Sequence, residues 1–315
     1  MAHNELEVFL AKLQSARFTA EPTMLNTNFG YVGSDAVFNP KFDFFDIDMA
    51  TGTFGQEAAV RGKGSVEQTF KMPVIPTTSS TEPACGAWLK CCGMEVTTAT
   101  SLHTYAPSNT PSAWKDMTVW KYSGDKATGA ALLTKASNCM YNVKITGKIG
   151  DPLMLEFTGK GVLTSAPAAA SYVTGTLTIP AVAPAVIKTT TMTIAGTTLK
   201  CESFDLDAGN EVVLIVDGSL DYGYYSADIG KKAGKWSAKV FQESHATYNP
   251  FTNLLAGTLA TMTCTFGVTN SKVTVNSTSK ILVREAVNSG EGGIAMYDLS
   301  GTIVDNDWSI AVNVT

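Results

Sequence analysis

Phe42-Asp43-Phe44-Phe45-Asp46-Ile47-Asp48 sets the fold class, and Phe204-Asp205-Leu206-Asp207 repeats its character in the second half. In an extended chain successive side chains point to opposite faces. Phe42, Phe44, Asp46 and Asp48 then share one face, and Asp43, Phe45, Ile47 and Met49 share the other. A glycine follows each stretch, Gly52 and Gly209. Period-two runs closed by turn residues read as strands.

The pair belongs to a wider set of echoes. Ile145-Thr146-Gly147-Lys148-Ile149-Gly150-Asp151-Pro152 is matched without a gap by Leu299-Ser300-Gly301-Thr302-Ile303-Val304-Asp305-Asn306. Gly62-Lys63-Gly64-Ser65 leads to Phe70 much as Gly234-Lys235-Trp236-Ser237 leads to Phe241. Pro83–Met94 and Pro250–Gly257 both read as short helices with a proline start and a glycine stop. Repetition at about half the chain length predicts one supersecondary unit used twice. An internal duplicate lets a few chains close a ring of twice the apparent symmetry.

Outward from these marks the chain divides. Leu6, Phe9, Leu10 and Leu13 have helical spacing and predict an amphipathic helix over residues 5–16. With an irregular arm it fills 1–35. A first β-rich domain spans 36–165, with a hairpin about Gly150-Asp151-Pro152. Residues 166–195, poor in charge and rich in alanine, proline and threonine, read as a linker. A second domain spans 196–315, where Gly218–Gly230 reads as a long loop or hairpin tip. Several strands and one helix per unit make the fold mainly β, of α+β type.

Composition narrows the function. Of 315 residues 44% are hydrophobic but only 16% are charged, below the usual quarter. That suits a β-rich protein whose surface is partly covered by neighbours. The net charge of −5 is wrong for gripping phosphates. Residues 1–14 carry Glu5, Glu7 and Lys12 and make no secretory signal. Apolar runs are too short for a spanning helix, so no membrane role is expected and the cytoplasm is the expected site of synthesis. The six cysteines form no Cys-x-x-Cys pair, and they read as small buried thiols.

No catalytic constellation stands out, and no cofactor or metal is expected. Gly230–Lys235 resembles a phosphate loop, but it is one residue short between its glycines and Trp236 stands where Ser or Thr belongs. Asp46 with Asp48, and Asp205 with Asp207, fall on one face of a strand and could share a cation. A solvated polar strand end is the plainer reading. His103 and His245 lack neighbouring ligands in the sequence. A long duplicated β chain without chemistry points to structural work.

The chain resembles the major tail tube proteins of long, non-contractile-tailed bacteriophages over nearly its whole length. The resemblance runs through Val8–Lys12, Glu21-Pro22-Thr23, Gly62–Ser65, Pro83–Gly93, Tyr105–Ser108, Thr118–Tyr122, Phe157–Gly161 and Phe204–Asn210. It implies a tandem duplication of a tail-tube β-sandwich with a flanking short helix. Inner strands would join across subunits into a closed β-barrel. Stacked rings would build a hollow tube that conducts DNA into the host without binding it specifically. A duplicated chain would close a ring of three, where single-domain subunits need six.

The resemblance implies partners as well: other copies of the chain, the tape measure protein, and the tail terminator and distal tail proteins. The protein would belong to the virion tail and assemble in the host bacterial cytoplasm. Alternatives are a different tail ring component, terminator or distal, and a carbohydrate- or cell-surface-binding β-protein. A conduit should lack a tight grip on phosphate, so acids should outnumber basic residues along its lumen. Asp43, Asp46, Asp48, Asp205, Asp207, Glu211 and Asp217 are the candidates to line it.

Overall fold

The computed structural model describes residues 5–28, 30, 32–33, 35–45, 60–75, 81–99, 102–125, 129–171, 184, 186–188, 190–267, 272–291 and 294–313. Among them strands dominate. The first nine are β1 (Glu5–Leu13), β2 (Val37–Phe45), β3 (Val60–Pro73), β4 (Met94–Ala99), β5 (Leu102–Pro107), β6 (Met117–Asp125), β7 (Ala130–Lys148), β8 (Met154–Leu163) and β9 (Ala168–Ser171). The second nine are β10 (Thr190–Ile194), β11 (Thr197–Asp207), β12 (Asn210–Val216), β13 (Tyr224–Lys232), β14 (Lys235–Phe241), β15 (Ala260–Phe266), β16 (Val273–Glu291), β17 (Ile294–Ile303) and β18 (Ser309–Asn313). Helix α1 (Gly86–Lys90) follows β3, and α2 (Pro250–Ala256) follows β14.

Eight strands make one antiparallel ribbon, in the order β2-β3-β8-β7-β11-β14-β17-β16. Burial alternates along it. Trp236, Ala238 and Val240 of β14 are buried, while Lys235, Ser237 and Lys239 between them are not. One ribbon face is therefore apolar and covered, and the other polar and open. Over the covered face lie β6 with β1, β15 with β10, and the β4–β5 hairpin joined to β18.

The long strands β7 and β16 belong to both layers. Their N-terminal halves pair with β6 and β15, and their C-terminal halves with β8 and β17. A bulge marks the change in each, at Ser137/Met140 and Val283/Glu285. Between the layers one apolar core runs through both halves. Phe70 packs on Trp88 of α1 at 4.5 Å and on Phe157 at 5.2 Å, ring centre to ring centre. In the second half Phe204 meets Phe266 at 5.9 Å.

Six strand pairings occur twice. The first set is β1–β6, β6–β7, β9–β7, β7–β8, β8–β3 and β3–β2. The second is β10–β15, β15–β16, β18–β16, β16–β17, β17–β14 and β14–β11. In this scheme β2 matches β11 and β3 matches β14; residues 46–48 lie outside the described residues, and residues 42–45 of the first echo and the echo at 62–65 fall on corresponding strands. Their register differs from the sequence match, because counting rungs sets Phe38, not Phe42, against Phe204. The gapless echo is different in kind. Ile145 lies in β7 and Leu299 in β17, which hold different places in the scheme.

Two expectations need correction. Residues 5–16 form no helix; β1 pairs with β6, with Val8 opposite Tyr122 and Leu10 opposite Trp120. Val8 and Leu10 pack with Tyr122 and Ala131, whereas Phe9 turns to the main core. A strand buried on both faces carries apolar residues at consecutive positions, so helical spacing is met by coincidence. The linker read over 166–195 also contributes strands at both ends, β9 and β10; its middle, 172–183, lies outside the described residues. Both helices stand where expected. The Asn249 side chain accepts from the Phe251 N–H to cap α2, and Gly257 closes it at φ 59°.

The placement of β1 predicts that Leu10→Ala costs about 2–5 kcal/mol, as a buried leucine should. Lys12→Ala, which removes a partly exposed pair with Glu21, should cost under about 1 kcal/mol. Denaturant midpoints of the dissociated chain measure both.

Candidate functional site

The ribbon holds together at its middle, where β11 of the second half meets β7 of the first. Ser203 to Asp207 lie opposite Lys148 to Lys144. Beyond this run the Ile149 N–H donates to the Glu202 carbonyl at 3.1 Å, and the Ala208 N–H donates to the Val143 carbonyl at 2.9 Å. Ile145, Leu206 and Phe204 fill the covered face of this seam. Opposite Phe204 stands Gly147, where an added Cβ would meet the Phe266 ring at 2.8 Å. The glycine lets the second half's aromatic core press against the first half's strand.

The open face carries charge of both signs. Lys144 faces Asp205 at 4.0 Å, Lys71 faces Glu156 at 3.9 Å, and Lys239 pairs with Glu202 at 3.5 Å. Lys41 pairs with Glu67. A groove of about 460 Å³ on this face is lined by Lys144, Asp205, Asp207, Lys235 and Arg284, among others.

Asp205 and Asp207 thus share a face, as strand periodicity predicts. Asp207 also builds the turn after β11. It accepts from the Gly209 N–H and from the Asn142 amide, each at 2.8 Å, and Gly209 adopts φ 64°. Asp43 lies exposed near the end of β2. Asp46 and Asp48 lie outside the described residues. Glu211 and Asp217 lie in the separate hairpin of β12 and β13.

That hairpin, in which β13 replaces much of the Gly218–Gly230 stretch read from sequence as a loop or hairpin tip, leans over the bulged end of β7 and β8. Ala227 and Ile229 pack on Met140 and Trp114. Asn138 donates to the Tyr225 carbonyl at 2.8 Å, and the Gly64 N–H donates to the Tyr222 carbonyl at 3.0 Å. Charge pins it to the N-terminal arm. Arg17 bridges the fully buried Asp116 at 3.4 Å and Asp228 of β13 at 3.1 Å. Burial raises the Asp116 carboxyl above its ordinary range, against the opposing pull of the Phe18 amide and Arg17. Nothing in the sequence pattern marks this triad, whose members are far apart in the chain.

Chemistry is sparse. Among the described residues no group of three or more His, Cys, Asp or Glu is placed to hold a metal. All six cysteines are free and buried, and burial pushes the Cys85 and Cys139 thiols up to about 12. His103 is buried beside Thr98, and His245 contacts Tyr297. Gly230–Lys235 connects β13 to β14, so no helix follows to complete a phosphate loop. Among the described residues no helix is long and apolar enough to cross a membrane.

Among the described residues the ribbon presents one open polar face and two ends without a second strand partner. The family model described as phage tail tube protein matches residues 15–303. No curated protein matches the chain.

The Arg17 triad yields a pH-dependent prediction. Arg17→Ala strands the Asp116 carboxylate and should cost about 3 kcal/mol at neutral pH. A buried acid with a raised folded pKa is costly only when ionised. The deficit should therefore shrink as pH falls through that raised value and protonates it. Denaturant titrations of both proteins from pH 7 down to pH 4 measure the difference; a deficit that stays the same throughout counts against the assignment.

Proposed function

The chain belongs to the phage tail tube protein family, structural components of the virion tail that assemble with themselves into a tube, and on that premise we propose that three chains close each ring of a long non-contractile tail. The observation that carries this reading is the twofold pairing scheme. Two copies of one strand arrangement, with a boundary in the 166–195 region, give a single chain two ring positions. Three chains then occupy six.

The ribbon dimensions support the count. Three chains bring twenty-four ribbon strands. At about 4.8 Å between strands and about 40° of tilt, such a barrel measures roughly 50 Å between opposite backbones. Side chains of the open face project into that space and leave a bore suited to one duplex. Six chains would double the width. The covered face and the outer strands form the tube wall. Tape measure protein fills the bore before DNA, and terminator and distal tail proteins meet the tube ends.

Asp205, Asp207 and Asp43 line the bore in this reading, interleaved with lysines rather than alone. Lys144, Lys235 and Lys239 lie on the same face as Asp205 and Asp207. An ion-paired lysine offers little to a passing phosphate, because its charge is already answered across the strand. DNA would slide past a nearly neutral wall.

Two measurements follow. Electron microscopy of the purified protein should show tubes or short stacked rings with three chains per ring; rings of six chains would overturn the count, and a chain that stays monomeric at high concentration would overturn the assembly. Asp205→Lys leaves Lys144 without its partner and adds cations on the bore, so virions carrying it should release DNA more slowly in vitro. Release at the wild-type rate would count against Asp205 lining the bore.

A further inference from the structure

Among the described residues the two ends of the ribbon have no second strand partner within the chain: on one side β2 bonds to β3 alone, and at the other residues 284–291 of β16 bond to β17 alone. In the pairing scheme these ends correspond to the two strands that meet at the internal seam, since β2 matches β11 and β16 matches β7.

The register can be read rung by rung. After its bulge β7 pairs with β8 from Met140–Lys160 to Thr146–Met154. After its bulge β16 pairs with β17 from Glu285–Ser300 to Glu291–Ile294. Both runs have the same length, so Lys144 matches Ser289. Across the ribbon, Lys160 pairs with Glu67, which pairs with Asn39. Likewise Ser300 pairs with Ser237, which pairs with Asp205. Asn39 therefore matches Asp205, and Lys41 matches Asp207.

We infer that β2 of one chain adds to the C-terminal half of β16 of the next, antiparallel, with Lys41 opposite Ser289 and Pro40 opposite Gly290. This repeats between chains the pairing of Asp207 with Lys144 and Leu206 with Ile145 inside one chain. The inference rests on the ring reading and names its contact.

Three details of the edges agree with it. The first is Pro40. The Gly64 N–H turns away from β2 to the Tyr222 carbonyl. By alternation Val66 does the same, and its partner Pro40 presents its backbone to the open edge. A proline there removes the one donor in the middle of the edge and discourages chance pairing, while its carbonyl still accepts. The second is Ser289, whose Oγ is buried without a hydrogen-bond partner; the register sets it beside Lys41. The third is apolar exposure at the edges, where Phe44 is 64% exposed, Phe45 58% and Val287 47%.

Lys41 and Ser289 would form a non-hydrogen-bonded pair, the geometry that brings Cβ atoms closest. The test is Lys41→Cys with Ser289→Cys in the full chain, oxidised after tube assembly. The native cysteines are buried and do not compete. A non-reducing gel should show a ladder ending at three chains, absent from either single variant. A ladder ending at six keeps the register and overturns the count of three. Tubes without cross-links, or with cross-links only in Lys41→Cys with Val287→Cys, overturn the register but not the ring.

Hydrogen exchange on wild-type protein serves where the variant fails to assemble. The amides of Phe38, Phe42, Asn288 and Gly290 should be protected in tubes and exchange in the dissociated chain. Absence of protection in tubes overturns the inference. A wild-type chain that forms no rings sinks the ring reading itself.

Discussion

The backbone at the two ends of the ribbon, without a second strand partner among the described residues, is the constraint on which the rest depends. A strand edge offers a row of donors and acceptors that must find partners or water. Inside the chain the problem is solved once, where β11 lies between β7 and β14 and spends its hydrogen bonds on both sides. Neither half of the chain could bury Phe204 and Leu206 against Ile145 without that seam. Gly147 marks how close the approach is, because the space its side chain would need is taken by Phe266. Among the described residues the outer ends repeat the same edge, which in the proposed ring would be met by neighbouring chains.

The long strands make this economical. β7 and β16 each serve two layers, so the sandwich is stitched by covalent backbone and not only by side-chain packing. Their bulges sit at the point of transfer, where an extra residue bends the strand and changes which side chains face the core. The hairpin of β12 and β13 lies beside the first bulge and is fixed there by Met140, Asn138 and the Arg17 triad. It ties the second half, the first half and the N-terminal arm at one place. The β4–β5 hairpin of the first half ties them again, through β18.

Much of this was legible locally and little of it globally. Alternation revealed the strands of the ribbon because each has one wet face. It misled at β1, where both faces are dry and helical spacing arises without a helix. Caps located α1 and α2, since a proline start and a glycine stop act within one turn. Repetition was visible in the sequence, but its most persuasive echo joined β7 to β17, two strands that share an exit into a turn and hold different places in the pairing scheme. Short likenesses record local geometry; only the pairing scheme records which strand is which. The Arg17 triad left no trace because its members lie about a hundred residues apart or more, and the free edges none because an edge is defined by the absence of a neighbour.

In the proposed tube, the charge pattern would let the open face reconcile two demands. A surface over which a polyanion moves cannot hold free cations, since each neutralised phosphate releases counterions and deepens the grip. A surface of acids alone would repel its own neighbours in the sheet, because like charges directly opposite destabilise adjacent strands. Alternating the signs across strands meets both demands. Lys144 faces Asp205, Lys71 faces Glu156, and Lys41 faces Glu67. Exposed pairs of this kind add little stability. Their effect lies in answering these lysines locally, so that this part of the face is polar and wettable without being adhesive. A modest net charge of −5 over 315 residues is the compositional shadow of that arrangement.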